Sequence, residues 1–251
     1  MKKIFLIVLL LPLFSFGQNN ETFNKATALY NDGKFEEAIV AYEAILADKK
    51  HSAALYYNLG NAHYKLNHIA PSIFYYEKAL LLSPTDEDVL NNISFARNMA
   101  IDVIEPLPPT GFSKLIERSI GKLSYHNWAI LAIVSVFLFT GLFLTYYFLY
   151  RQRLKRIAFI ASFLFLGLGI FAISMAFYEY NAIQNKRPAI VFAEETIVKA
   201  EPNEGSASVF TLHEGTKVQV EESYEGWKKI RLADGKIGWL KSSVIKEIKD
   251  F

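Results

Sequence analysis

Side chains of the kinds that carry enzymatic chemistry are sparse in this 251-residue chain and poorly spaced for it. There is no cysteine, which excludes disulfides, cysteine-ligated zinc, iron–sulfur clusters, a thiol nucleophile and a lipidated N-terminal cysteine. Of the five histidines (His51, His63, His68, His126 and His213) only His63 and His68 are close. A spacing of five near a helix end does not put both rings on one face as i,i+4 ligands require. No HExxH, GxSxG, Walker A or dinucleotide glycine fingerprint occurs. The acidic residues fall on solvent faces and in turns, which leaves a paired-carboxylate hydrolase little support. These observations predict a binding protein, not an enzyme, with no cofactor and no metal.

The composition says where such a protein resides. Hydrophobic residues make up 52% of the chain, charged residues 21%, and the mean hydropathy is +0.16. That surplus of apolar residues excludes a disordered chain and predicts that part of it sits in lipid. A net charge of +2 is too small to argue for nucleic acid. Lys2 and Lys3 precede an apolar run over 4–16 and small residues at Ser15 and Gly17, the pattern of a secretory signal peptide over 1–17. The alternative, an uncleaved anchor, is too short to span about 30 Å of hydrocarbon comfortably.

Residues 128–150 and 157–178 each run without a single charge and predict two transmembrane helices. Trp128, Tyr146, Tyr147, Tyr150, Tyr178 and Tyr180 stand at their ends as interfacial belts. Between them a basic loop over 151–156 carries Arg151, Arg153, Lys155 and Arg156. Short cationic loops stay cytoplasmic. An anionic-lipid or nucleic-acid patch is the alternative, disfavoured because so short a hairpin presents little surface. Residues 18–110 hold seven basic and twelve acidic side chains, and residues 179–251 hold eleven and twelve. The flanking domains are therefore expected outside the cytoplasm, in a two-pass protein of a bacterial inner membrane with both of them periplasmic.

A 34-residue self-similarity runs through the first exported segment. Gly33-Lys34-Phe35-Glu36-Glu37-Ala38-Ile39 returns as Asn67-His68-Ile69-Ala70-Pro71-Ser72-Ile73, Tyr42 as Tyr76, and Leu46 as Leu80. Residues 56–64 read as one helix and 75–80 as part of the next, which Pro84 terminates. Gly60 and Ala79 allow close approach, while Leu59, Tyr76 and Leu80 fill the space around them. The segment closely resembles tetratricopeptide repeats over about 20–86, with a capping helix over 87–100, in a domain of 18–100. His63 stands where the family usually has an aromatic residue. The resemblance implies a partner-binding concave face built from Phe23, Thr27 and Tyr30, then Tyr57, Asn58, Asn61, Tyr64 and Lys65, then Asn91, Asn92 and Phe95. Asn58, Asn61, Lys65 and Asn92 partly fit a carboxylate grip; the alternative is that Tyr and Asn only cover the groove. Two and a half repeats are few for a continuous core, so the stack is expected to lean on another surface, of this chain or of a partner.

Beyond it, 101–111 is rich in proline and predicts an extended spacer. Residues 112–127 space apolar side chains at helical intervals, as an amphipathic segment along the membrane does. From Pro188 the period becomes two, with turns at Pro202-Asn203-Glu204-Gly205, Glu214-Gly215, Glu225-Gly226 and Asp234-Gly235. Strands are expected over 190–192, 196–200, 209–213, 217–221, 229–232 and 237–240, folded as a small barrel. The two corners Gly226-Trp227 and Gly238-Trp239 make 186–251 similar to bacterial SH3 (SH3b) domains, which serve binding and targeting, in some cases to cell-wall peptides. Lys228 replaces an apolar residue and suggests an exposed edge; Trp239 is expected in the core. Tyr224 and Trp227 read either as a recognition platform or as packing.

The fold class is thus a multidomain membrane protein with all-α tetratricopeptide-like repeats, a two-helix transmembrane hairpin and an all-β SH3b-like barrel. That domain order resembles the BatE-type proteins of Bacteroides-type aerotolerance operons. The resemblance implies a periplasm-facing scaffold in a stress-tolerance system whose partners include von Willebrand factor A-domain membrane proteins and a MoxR-type ATPase. The alternative function is an envelope sensor or tether whose SH3b domain binds cell-wall peptide.

Overall fold

The computed structural model describes residues 20–108 and 123–249. The expected signal peptide and the amphipathic segment as far as residue 122 lie outside the described residues. The chain divides into two compact units, residues 20–105 together with 187–249, and residues 106–186.

In the first unit five helices follow one another: α1 (Asn20–Asn31), α2 (Phe35–Ala47), α3 (Ala53–Lys65), α4 (Ile69–Leu82) and α5 (Glu87–Arg97). The 34-residue period reappears in the backbone. Gly33 and Asn67, one period apart, both take positive φ, +77° and +57°, and so reverse the chain between α1 and α2 and between α3 and α4. The Ser52 and Asp86 side chains accept hydrogen bonds from the Leu55 and Val89 backbone N–H groups and cap α3 and α5. Pro71 falls in the first turn of α4, where its missing N–H costs nothing. Gly60 is small because Tyr76 lies across it: a Cβ there would stand 2.6 Å from the ring. Tyr42, Leu55 and Leu59 pack in one buried cluster, and Tyr56, Tyr76 and Ile93 in the next.

Residues 187–249 form seven strands: β1 (Arg187–Val191), β2 (Glu195–Lys199), β3 (Ser208–His213), β4 (Lys217–Tyr224), β5 (Trp227–Arg231), β6 (Ile237–Lys241) and β7 (Ile245–Glu247). Their order is β3-β2-β6-β5-β4-β1-β7, with every pairing antiparallel. Each strand contributes to one buried cluster, from Leu212 in β3 to Ile245 in β7, so the sheet curls around a single core. Strand β7 had no expectation in the sequence, and two side chains sit differently from the reading above. Lys228 lies on β5, an interior strand, and pairs with Glu247 instead of marking an open edge. Arg187 and Lys228 together hold the Glu247 carboxyl below its usual range, against the opposing effect of burial. Trp239 is half-buried and stands outside the core cluster, whose place on β6 goes to Leu240.

The glycine of the second Gly-Trp corner has a steric cause. A Cβ on Gly238 would stand 2.3 Å from Val198 Cγ1 and 3.0 Å from the Lys199 carbonyl oxygen, where β2 pairs with β6 at Lys199 and Trp239. Gly238→Ala is expected to destabilise this unit by about 1–3 kcal/mol through overpacking. Gly205→Ala, which meets nothing nearer than 3.6 Å, should leave the melting temperature almost unchanged. Parallel thermal melts of the two variants test this.

The helices and the sheet share a core. In β1, Ala189 and Val191 face the sheet's own cluster, while Ile190 between them points to the opposite face and joins Ile73, Tyr76 and Ile93 among the helices. Ile248 joins them too, and the Phe192 ring meets Phe74 edge-on at 5.5 Å. Gly215, at φ +83°, lets the β3–β4 turn slide beneath α4: a Cβ there would stand 3.0 Å from both Ile69 Cγ2 and Ile73 Cδ1. Glu77, buried on α4, receives Arg97 Nη2 and Lys217 Nζ, each at 2.7 Å. The supporting surface that a short stack requires therefore comes from this chain.

The start of the expected spacer is part of the same junction. Asp102 accepts hydrogen bonds from the His213 N–H (2.7 Å), His213 Nδ1 (2.9 Å) and the Thr216 hydroxyl (2.5 Å), and Ile104 packs against the sheet core. Burial pushes the Asp102 carboxyl up, and these bonds outweigh it, leaving it below the ordinary aspartate range. A carboxylate with three donors in reach pins 101–104 to the sheet, where proline content alone indicated only an extended spacer.

The second unit is a helical hairpin of α6 (Tyr125–Phe148) and α7 (Gln152–Asn185). Both helices are long and apolar enough to cross a membrane. They meet through small residues. Ala132, Ser135, Ser162, Gly169 and Ala172 are buried between them, and a Cβ on Gly169 would lie 3.4 Å from Ser135. Trp128, read above as an interfacial residue, instead turns inward and meets Phe171 edge-on at 5.8 Å. Helix α7 begins at Gln152, so Arg153, Lys155 and Arg156 ride on its first turns and the connection shrinks to 149–151.

Candidate functional site

A pocket of about 240 Å³ opens against α3 and α5, among the residues expected to form the concave face. Tyr57, Asn61, Tyr64 and Lys65 reach it from α3, Asn92 and Phe95 from α5, Tyr30 from α1 and Tyr76 from α4. The spacing explains the α3 set, since residues 57, 61, 64 and 65 recur at three to four positions and share one face.

The amides have structural partners. The Tyr76 hydroxyl donates to Asn61 Oδ1 at 2.6 Å. Asn92 Nδ2 donates to the same oxygen at 2.9 Å and to the Tyr57 hydroxyl at 3.0 Å. This network ties α3, α4 and α5 together and orients the Tyr57 and Tyr76 rings, whose centroids are 6.1 Å apart. Burial, followed by the neighbouring tyrosines, raises the Tyr76 and Tyr30 pKa values above that of a free phenol, so both remain protonated. The pocket is thus walled by rings, lined with neutral hydroxyls and amides, and edged by the exposed cation of Lys65. It offers apolar contact, hydrogen bonds and one positive charge, the means of gripping a peptide side chain.

The other residues singled out from the sequence are placed elsewhere. Asn58 turns to the Tyr42 hydroxyl, and Asn91 is exposed outside the pocket, its carbonyl accepting from the Ser94 hydroxyl. Tyr224 and Trp227 face each other across the β4–β5 turn, Tyr224 exposed and Trp227 half-buried. Arg151, Arg153, Lys155 and Arg156 belong to the second unit. Tyr76 is the pocket residue that the sequence left out. Its ring fills the core, and only its hydroxyl reaches the surface network, a division that hydrophobic periodicity cannot express.

The two neighbouring histidines do meet, against the spacing argument. His68 precedes α4 and not the end of α3, so the chain reversal at Asn67 brings its Nδ1 to 3.2 Å from His63 Nδ1. Among the described residues no third histidine, cysteine or carboxylate joins them to complete a metal site.

Comparison with known families agrees with this division. Residues 26–67 match the family described as TPR repeat, residues 53–86 the tetratricopeptide repeat, and residues 194–246 the bacterial SH3 domain. No curated protein matches the chain. The helices of the first unit are therefore similar to tetratricopeptide repeats and its sheet to bacterial SH3 domains, two kinds of domain that bind proteins or peptides.

Proposed function

We propose that this protein is a non-catalytic, membrane-anchored scaffold that faces the periplasm and holds protein partners through the concave face of its repeats. The aromatic pocket on α3 and α5, with Lys65 at its rim, is the observation that carries the reading. Two further features support it. Helices α6 and α7 suffice for two membrane crossings, and the cations between them favour a cytoplasmic connection. Residues 20–105 and 187–249 share one core, which requires both on the same side of any bilayer that the hairpin enters. The resemblance of the domain order to BatE-type proteins supports a role for the scaffold in aerotolerance or oxidative stress. On the same resemblance, von Willebrand factor A-domain membrane proteins and a MoxR-type ATPase are the partners we propose. Tyr224 and Trp227, at the β4–β5 turn, form a second contact point within the same scaffold.

The test uses two rim residues that leave the core intact. Lys65 and Phe95 are exposed, whereas Asn61 holds the helices together and is spared. Tagged full-length protein purified from membranes should recover specific partners. The Lys65→Ala/Phe95→Ala variant should lose them about tenfold or more, as rim anchors worth 1–2 kcal/mol each imply, with an unchanged melting temperature. Equal recovery by a folded variant overturns the groove as the binding site.

A further inference from the structure

We infer that the connection between α6 and α7 is a binding site for the headgroup and upper acyl chain of an anionic phospholipid. The inference rests on the reading of this hairpin as membrane-spanning. A pocket of about 360 Å³ opens there, lined by Tyr146 on α6 and by Gln152, Lys155, Arg156, Phe159 and Ile160 on α7. On a helix, Gln152, Arg156 and Ile160 stack at i,i+4, as do Lys155 and Phe159, so all five share one face. Along that face chemistry changes over roughly one to two turns, from an amide and two cations to exposed aromatic and aliphatic carbon. Phosphate above and hydrocarbon below is the same order that a phospholipid presents at the edge of a bilayer.

The site is also pre-arranged. Lys155 Nζ lies 5.0 Å above the Tyr146 ring, and that ring packs on Phe159 at 5.2 Å, which fixes the ammonium beside Arg156. Among the described residues of this unit no carboxylate stands near this charge. Glu179 is the only acidic residue between 123 and 186, and it stands 23 positions from Arg156 on the same helix, about 35 Å away. Four cations at the positive end of the α7 dipole repel both it and one another, and an anion relieves the strain. Basic pockets of this kind beside membrane helices take acidic lipid headgroups. The shortness of the hairpin, which argued against a lipid patch in the sequence, loses its force because α7 starts at Gln152 and extends the presented surface along its first turns.

Purified full-length protein in mild detergent, titrated with short-chain phosphatidylglycerol and read by native mass spectrometry, tests the site. Binding should exceed that of short-chain phosphatidylcholine by about tenfold or more. Lys155→Gln/Arg156→Gln should abolish the preference. Arg151→Gln/Arg153→Gln removes the same charge outside the pocket and should retain it. An equal loss in both variants, or no loss in either, overturns the site in favour of diffuse attraction or none. Equally tight binding of glycerol 3-phosphate overturns it in favour of a free-phosphate site. Extraction of membranes with alkaline carbonate separates the underlying reading: a chain that washes off the membrane refutes the spanning hairpin and the lipid site together, whereas an integral chain without lipid preference refutes the site alone.

Discussion

Lowering the pH from neutral to 4 is expected to remove about 3 kcal/mol from the unfolding free energy of the unit built by the helices and the sheet, and His63 is the reason. Its ring is buried at the end of α3, stacked on Tyr75 at 5.4 Å with 11° between the planes. Burial lowers its pKa from 6.5 to about 4, helped by the neighbouring His68 and by Lys246 on β7. The folded protein thus resists a proton that the unfolded chain accepts near pH 6.5. Unfolding becomes easier as pH falls from 6.5 to about 4, and this contribution levels off below that. Asp102 and Glu247, whose folded pKa values are depressed, act later: their stabilisation persists above the ordinary carboxylate range and is lost at more acidic pH.

His63→Phe separates the two regimes. Phenylalanine keeps the stack on Tyr75 and discards His63 Nε2, a buried nitrogen without a hydrogen-bond partner. His68, being exposed, can return to water. The variant should be nearly flat between pH 6.5 and about 5, keep its loss at lower pH, and gain about 1–3 kcal/mol at neutral pH from removal of the orphaned nitrogen. Urea titrations of the full chain at a series of pH values supply the measurement. A variant that retains the wild-type slope would assign the effect to another group.

Truncating one strand residue is expected to loosen helices far from it in sequence. Ile190→Ala should destabilise the unit by about 2–5 kcal/mol, the usual cost of removing a buried aliphatic side chain. The more telling result is where protection is lost. Because Ile190 packs with Ile73, Tyr76 and Ile93, amides of α4 and α5 should exchange with deuterium faster alongside those of β1. Faster exchange confined to the strands would mean that helices and sheet fold as independent bodies.

These results bear on how far the sequence could be read. The helices were legible because their period writes itself into residue identity: Gly33 and Asn67 mark the turns, Gly60 the close approach, and Tyr42 and Tyr76 the repeated core position. Strands β1 to β6 were legible from turn residues such as Glu225-Gly226, where Glu225 and Gly226 take φ +41° and +82°. The three-residue β7 is too short to carry a period. What stayed hidden is the junction, since periodicity reports that a residue is buried and says nothing of its neighbour. One trace was present: Ala189-Ile190-Val191 is apolar on consecutive positions, the pattern of a strand covered on both faces. Asp102 left no trace, because its partners lie more than a hundred residues away. For the pocket, the resemblance led to Tyr30, Tyr57, Asn61, Tyr64, Lys65, Asn92 and Phe95, but not to the bonds by which Asn61 and Asn92 bind the helices to one another.

The shared core has a consequence for biosynthesis. The ribosome releases the helices first and β7 last, with both apolar hairpin segments made in between. Until the final strands emerge, Ile73, Phe74 and Ile93 lack the cover that Ile190, Phe192 and Ile248 provide, and the nascent helices wait half-finished. A premature stop anywhere before residue 190 therefore removes more than the sheet: it leaves the first-made helices with an open apolar flank, a natural substrate for quality-control proteases.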